Sequence, residues 1–237
     1  MTEHSLHSAI KDWYRVSGDE VEVKVGDFTV DILRGDLLIE IQTGNFSAVK
    51  KKLVKLLHRN RVRLVYPIAK LKWIVHKSIT GEFVRRRKSP KKGRLIDLFY
   101  ELVYAPDLIR DGNFSLEVLL IEEEELRCND GLGSWRRRGV SVKDRKLLNV
   151  FGRFVFEDSR AFLEFLPKEL DECFTNKVLA LKLGVSVRLA QKMTYCLRKM
   201  GAISIVGKRG NELFFQIRWS LLLASSARAK GNLSHFG

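Results

Sequence analysis

Two carboxylates and an amide in VDILRGDLLIEIQTGNFSAVKKKL, residues 30–53, are spaced for chemistry. Gly35-Asp36 is a turn signal, and a hairpin centred on it sets Asp31 opposite Glu40. Directly opposed side chains stand roughly 4.5–5.5 Å apart at Cβ, so two carboxylates there repel unless a cation lies between them. Asp31 and Glu40 would give oxygen ligands to a hard divalent ion, the backbone carbonyl of Ile41 a third, and water the rest. An ion so held can polarise a phosphate, generate hydroxide and stabilise the leaving oxygen of a phosphodiester. Gln42 shares the face of Glu40; its amide can position water or phosphate but cannot carry a proton. An ordinary solvated hairpin is the competing reading of the same residues.

The flanking elements must hold this hairpin in place. Residues 3–14 carry Leu6, Ile10 and Trp13 at helical spacing, which predicts one apolar face. Short strands are expected over 21–25, 28–33 and 37–43, with Gly26-Asp27 and Gly35-Asp36 between them. By alternation Val30, Ile32, Ile39 and Ile41 fall on the face away from the carboxylates, where a helix can bury them. A helix follows over 47–60, with Val49, Leu53, Leu56 and Leu57 inward. Two further strands (62–69 and 72–77), a strong helix (94–109) and a strand that turns acidic (115–127) complete an α/β order. Residues 1–130 read as one mixed-sheet domain, and 131–158 as a basic connector that could form a hairpin.

Residues 159–220 read as a second, smaller unit, followed by a tail over 221–237. Thr175 and Ser186 are positioned to cap two helices, Leu183-Gly184-Val185 to turn between them, and Gly201 to end the second. Leu179, Ala180, Leu183, Val185, Ala190 and Met193 fall where two crossed helices pack. Two apolar strands, AISIVG and ELFFQI, flank a KRGN turn. Together these residues resemble a winged helix-turn-helix domain. The resemblance implies that the second helix enters the major groove with Val187, Arg188, Gln191, Lys192 and Tyr195 outward, while the wing, with Lys208 and Arg209, touches backbone. A helical packing or dimerisation unit with a solvated basic face is the alternative.

Charge supplies the partner. Forty-three basic against 28 acidic residues give a net charge of +15 and a pI near 9.9. That excess makes physical sense beside a polyanion, nucleic acid before an acidic membrane surface. Residues 85–94 hold seven basic residues in ten, led by Arg85, Arg86 and Arg87. Residues 134–146 hold six, among them Arg136, Arg137 and Arg138. Both segments are expected to lie along phosphates. The run IEEEE, residues 121–125, is expected to be a solvated strand end that discourages edge pairing. No apolar run approaches the roughly 20 residues that span a bilayer, and the segment SLLLASSARA is too short. Three scattered cysteines form no CxxC pair, which argues against a disulfide framework or zinc knuckle and for a cytoplasmic protein. No Gly-rich phosphate loop, Ser-His-Asp grammar or HExxH sequence is present, so ATP dependence and protease or esterase chemistry have no support.

The Asp, the eight-residue gap and the Glu-x-Gln that follows, in this order of elements, resemble the PD-(D/E)XK nuclease superfamily. The resemblance implies a restriction-endonuclease-like fold over about residues 1–125, with Asp31 and Glu40 on magnesium and manganese able to substitute. An acidic residue of the first helix often joins such a pair, and Glu3 is the candidate, with His7 one turn on. Gln42 stands where the commonest version has lysine, although some restriction enzymes of the superfamily use glutamine there. Lys52, at the edge of the Val49-Leu53-Leu56 face, is the preferred replacement, with Lys51 behind it. The expectation is therefore a magnesium-dependent DNA endonuclease acting on double-stranded or branched DNA. Structured RNA is an open alternative substrate, and a homodimer an open alternative assembly. A DNA-binding regulator or adaptor with a nuclease-like scaffold is the alternative function.

Overall fold

The computed structural model describes residues 5–218, which fall into two compact units. The first comprises the chain up to Leu98 together with Asn113–Val155; the second comprises Phe99–Gly112 and the chain from Phe156 onward.

The first unit is a seven-stranded mixed sheet flanked by helices. Its elements are α1 (Ser5–Tyr14), β1 (Glu20–Val25), β2 (Phe28–Arg34), β3 (Leu37–Ile41), α2 (Phe46–Leu57), β4 (Arg61–Lys77), β5 (Phe83–Lys88), β6 (Phe114–Asn129) and β7 (Val140–Phe156). The strand order is β1-β2-β3-β4-β6-β7, with β5 also paired to β4. β1, β2 and β3 form an antiparallel meander, whereas β3 and β6 both run parallel to β4. One face buries α1: Leu6, Ile10 and Tyr14 pack on Ile32, Ile39, Ile41, Val65, Leu119 and Ile121. Spacing i, i+4, i+8 selects Tyr14, and the expected Trp13 stays exposed. Each aliphatic side chain fully removed from water in this layer contributes about 1.5–3 kcal/mol. Phe46, Val49, Leu53, Leu56 and Leu57 are the buried residues of α2, with Phe46 edge-on to Tyr66 at 5.0 Å.

Residues 62–69 and 72–77 belong to one 17-residue strand, β4, which carries Pro67 inside it. The Val65 carbonyl accepts from Gln42 N–H on the β3 side, so by alternation Pro67 also turns its nitrogen to that side. There β3 has ended and β5, whose pairing begins at Trp73, has not yet started, so no partner lacks a donor. The loop after β5 closes over the gap: Gly93 N–H reaches the Ala69 carbonyl at 2.9 Å, and a Cβ on Gly93 would stand 2.6 Å from that oxygen.

The expected helix over 94–109 is broken into a 3-10 turn (Leu95–Leu98), a single α-turn and a second 3-10 turn (Pro106–Arg110). Pro106 cannot continue a helix, and the chain ahead of it tightens to i−3 bonds, Tyr104 to Glu101 and Ala105 to Leu102. The segment read as a connector carries β7, a 17-residue strand of the main sheet; interspersed charges and half-exposed positions mask its alternation.

The glutamate run is likewise corrected. β6 lies between β4 and β7, and Glu123 and Glu125 are each 3% exposed. Lys72 Nζ bridges them at 2.7 and 3.0 Å, and Arg127 holds Glu125 at 2.6 Å. Burial works to raise the Glu125 carboxyl, but Lys72 and Arg127 outweigh it and hold it below its usual range. On the opposite face Glu122 accepts from Trp73 Nε1 at 2.6 Å, and Glu124 from Arg86 at 2.8 Å.

The second unit contains α3 (Phe99–Leu102), β8 (Cys173–Phe174), α4 (Asn176–Leu183), α5 (Val187–Lys199), β9 (Ile203–Arg209) and β10 (Glu212–Ile217). β8, β10 and β9 form a small antiparallel sheet in that order. Thr175 and Ser186 cap α4 and α5 by accepting from Val178 and Leu189 N–H, and Gly184 takes the left-handed conformation between them. Phe99, Phe156, Phe162 and Phe165 make an aromatic cluster with ring centroids 4.7–6.2 Å apart. Among the described residues, no helix is long and apolar enough to cross a membrane.

Candidate metal centre at the β2–β3 hairpin

The hairpin turns at Gly35, whose φ of 58° suits glycine, and pairs Arg34 with Leu37, Leu33 with Leu38 and Ile32 with Ile39. Continuing that register sets Asp31 against Glu40, but the ladder itself stops. In its place Asp31 Oδ2 accepts the Ile41 N–H at 2.7 Å, and β3 continues along β4 with Ile41 beside Val65. The carboxylates therefore sit where the β2–β3 ladder ends.

Burial is uneven across the pair. Glu40 is 7% exposed; its Oε1 takes Lys52 Nζ at 2.5 Å, and its Oε2 is buried with no hydrogen-bond partner among the described residues. Burial, and next the neighbouring Asp31 charge, push the Glu40 carboxyl up to about 7 against the pull of Lys52. Asp31 is held below its ordinary value. Burial opposes that shift, but the His7 hydrogen bond and the Ile41 N–H outweigh it. His7 Nε2 lies 3.3 Å from Asp31 Oδ2 and 3.0 Å from the Ile41 carbonyl, to which it donates. α1 and α2 thus each bring one nitrogen group to the hairpin. Lys52 makes a second bond, to the Thr29 carbonyl at 2.6 Å, which no sequence signal pointed to.

The donor set is hard oxygen: Asp31, Glu40 and the Ile41 carbonyl, suited to magnesium or manganese. A buried carboxylate oxygen without a partner beside a second carboxylate is what a cation would relieve. Among the described residues, no three His, Cys, Asp or Glu side chains form a metal-binding group by themselves, so water would complete the shell. Glu3 lies outside the described residues. Gln42 follows the last residue of β3, and its amide nitrogen donates to the Gly44 carbonyl and, at 3.3 Å, to that of Asn45. That nitrogen shapes the loop into α2 instead of facing the carboxylates.

The basic residues divide into two groups. In the first unit Arg85, Arg86 and Arg87 lie exposed on β5, but Arg86 is stacked 4.0 Å over Trp73 and paired with Glu124. Arg136, Arg137 and Arg138 fall in and just after a 3-10 turn between β6 and β7. In the second unit Arg188, Gln191 and Tyr195 are exposed on α5, and Lys208 and Arg209 at the end of β9. Lys192 departs from the expected outward face. Its Nζ lies 5.9 and 5.6 Å from the rings of Tyr100 and Tyr104, which belong to the segment around α3.

Residues 4–157 match the family described as a domain of unknown function, DUF8091. The chain is also similar to an uncharacterized protein of Treponema pallidum (strain Nichols), 29% identical over 215 residues that cover 90% of this chain and 85% of the relative. No solved structure matches the chain.

Proposed function

The chain belongs to the DUF8091 family, and we propose that it is a metal-dependent DNA endonuclease. The carrying observation is the buried, unpartnered Oε2 of Glu40 beside Asp31. On this reading the first unit is a restriction-endonuclease-like domain and the second a winged helix that docks DNA. Asp31, Glu40 and the Ile41 carbonyl would hold magnesium, which when bound supplies Lewis acidity at the scissile phosphate. Lys52 orients Glu40 and brings positive charge toward the phosphate. His7 fixes Asp31 and the Ile41 carbonyl in place. Cleavage of plasmid and branched DNA with magnesium or manganese, comparing the native chain with Glu40→Gln, tests the assignment. Equal cutting by both, or no cutting over a broad DNA and RNA panel, removes it.

One observation favours a second reading, a DNA-binding protein with a nuclease-like scaffold. Lys52 already gives Glu40 a cationic partner without any ion. Manganese calorimetry separates the two: a metal centre shows binding that Asp31→Asn abolishes, and a scaffold shows none.

A further inference from the structure

The neighbouring strands β4 and β6 run parallel and end together, pairing His76 with Arg127 and Lys77 with Cys128. β4 then turns back into β5 and β6 into β7, so both hairpin tips leave the sheet at one end. The tips meet at their base. Cys128 Sγ donates to the Ser78 carbonyl at 3.5 Å, and a cleft of about 330 Å³ is walled by His76, Ile79, Val84 and Arg85 of one hairpin and Asn129 of the other.

Neither tip has the composition of a merely solvated turn. Ile79 is 80% exposed and Phe83 66% in the first hairpin; in the second Leu132 is 81% exposed and Trp135 83%. Four large apolar side chains held in water at one end of a sheet mark a contact surface. The second tip is also braced: Asp130 accepts from the Leu132 N–H at 3.0 Å, Ser141 Oγ at 2.8 Å and Lys143 Nζ at 2.5 Å. Arg138 N–H closes the turn on the Trp135 carbonyl at 3.0 Å. Trp135 is thus presented on a fixed turn, with the Arg136 guanidinium 5.5 Å from its ring.

We propose that these two tips form a binding surface for nucleic acid with unpaired bases, such as a flap or junction. Trp135 stacks on an exposed base while Arg85, Arg87, Arg136 and Arg138 take the neighbouring phosphates. A regular duplex offers phosphates but hides its base faces, whereas an unpaired base presents the π surface that an exposed tryptophan accepts. An anionic membrane also combines charge with an apolar interior. Arg85 and Arg87, on one face of β5, continue away from the tip along a strand, which suits a linear backbone better than a plane. The proposal rests on the nucleic-acid half of the proposed function and not on hydrolysis.

Fluorescence anisotropy of the full chain in EDTA, with a labelled flap and a blunt duplex of equal length, tests it, alongside sedimentation with phosphatidylserine vesicles. Trp135→Ala is expected to weaken flap binding by roughly tenfold and duplex binding by less than about twofold, with Trp135→Phe close to the native chain. Equal loss on flap and duplex, no loss on either, or loss confined to vesicles overturns the proposal. Trp135 is exposed, so circular dichroism should confirm an unchanged fold for both variants. Selective flap binding without cleavage in magnesium would leave this surface standing and remove the nuclease. Cleavage indifferent to Trp135 would do the reverse.

Discussion

Lys52 Nζ stands 2.5 Å from Glu40 Oε1 and 2.6 Å from the Thr29 carbonyl, so a helix cation reaches a carboxylate that the sheet has buried. Removing one partner of a buried pair strands the other, at a cost of about 3 kcal/mol. Glu40, pushed up to about 7, escapes part of that cost by taking up a proton, so Lys52→Met should lower the urea midpoint more at pH 9 than at pH 6. Under the metal-centre reading, millimolar manganese recovers part of the loss. Unchanged stability would show that the pair contributes nothing.

Glu117 is fully buried and satisfied from three sides, by Tyr14 Oη at 2.6 Å, Arg153 at 2.6 Å and Arg63 at 3.4 Å. Tyr14→Phe deletes one hydrogen bond to an ionised group while keeping the ring, and should cost about 1.5–3 kcal/mol in denaturant unfolding. A loss below about half a kcal/mol would mean that the arginines alone satisfy this carboxylate.

Asp19 is held below its ordinary value chiefly by the Arg34 hydrogen bond. A carboxyl with a depressed folded pKa contributes stability that is complete above its unfolded pKa of about 3.9 and disappears as pH falls through the folded value. Asp19→Asn should flatten the fall in thermal midpoint below about pH 4, while lowering the midpoint at neutral pH. Parallel pH profiles for the two proteins would contradict the assignment.

The cysteines differ in reach. Cys173 is exposed; Cys196 is buried, and burial pushes its thiol up to about 12. A thiolate reagent at pH 8 should modify Cys173 in the native protein and Cys196 only after unfolding, read by mass spectrometry of the peptides. Comparable native rates at both positions would show that α5 opens readily.

Features that depend on neighbours a few residues apart are legible in the chain alone. Alternation set Ile32, Ile39 and Ile41 on one face, and the Gly35 turn set the register that pairs Ile32 with Ile39, although the ladder stops before Asp31 and Glu40. Thr175, Ser186 and Gly184 likewise marked α4 and α5 through local capping. The edge position of Lys52 on its helix was legible as well, although its bond to Thr29 was not. Tertiary structure decided which strands become neighbours. Pro67 sits within β4 because the flanking strands leave a gap there, and Glu123 and Glu125 are buried because Lys72 lies on the adjacent strand. Lys192 turns to Tyr100 and Tyr104, far earlier in the chain, and Gln42 to the loop that enters α2. A side chain's face follows from backbone periodicity, which is local. Its partner follows from chain segments brought together only when the sheet and helices pack, and no short-range pattern encodes that.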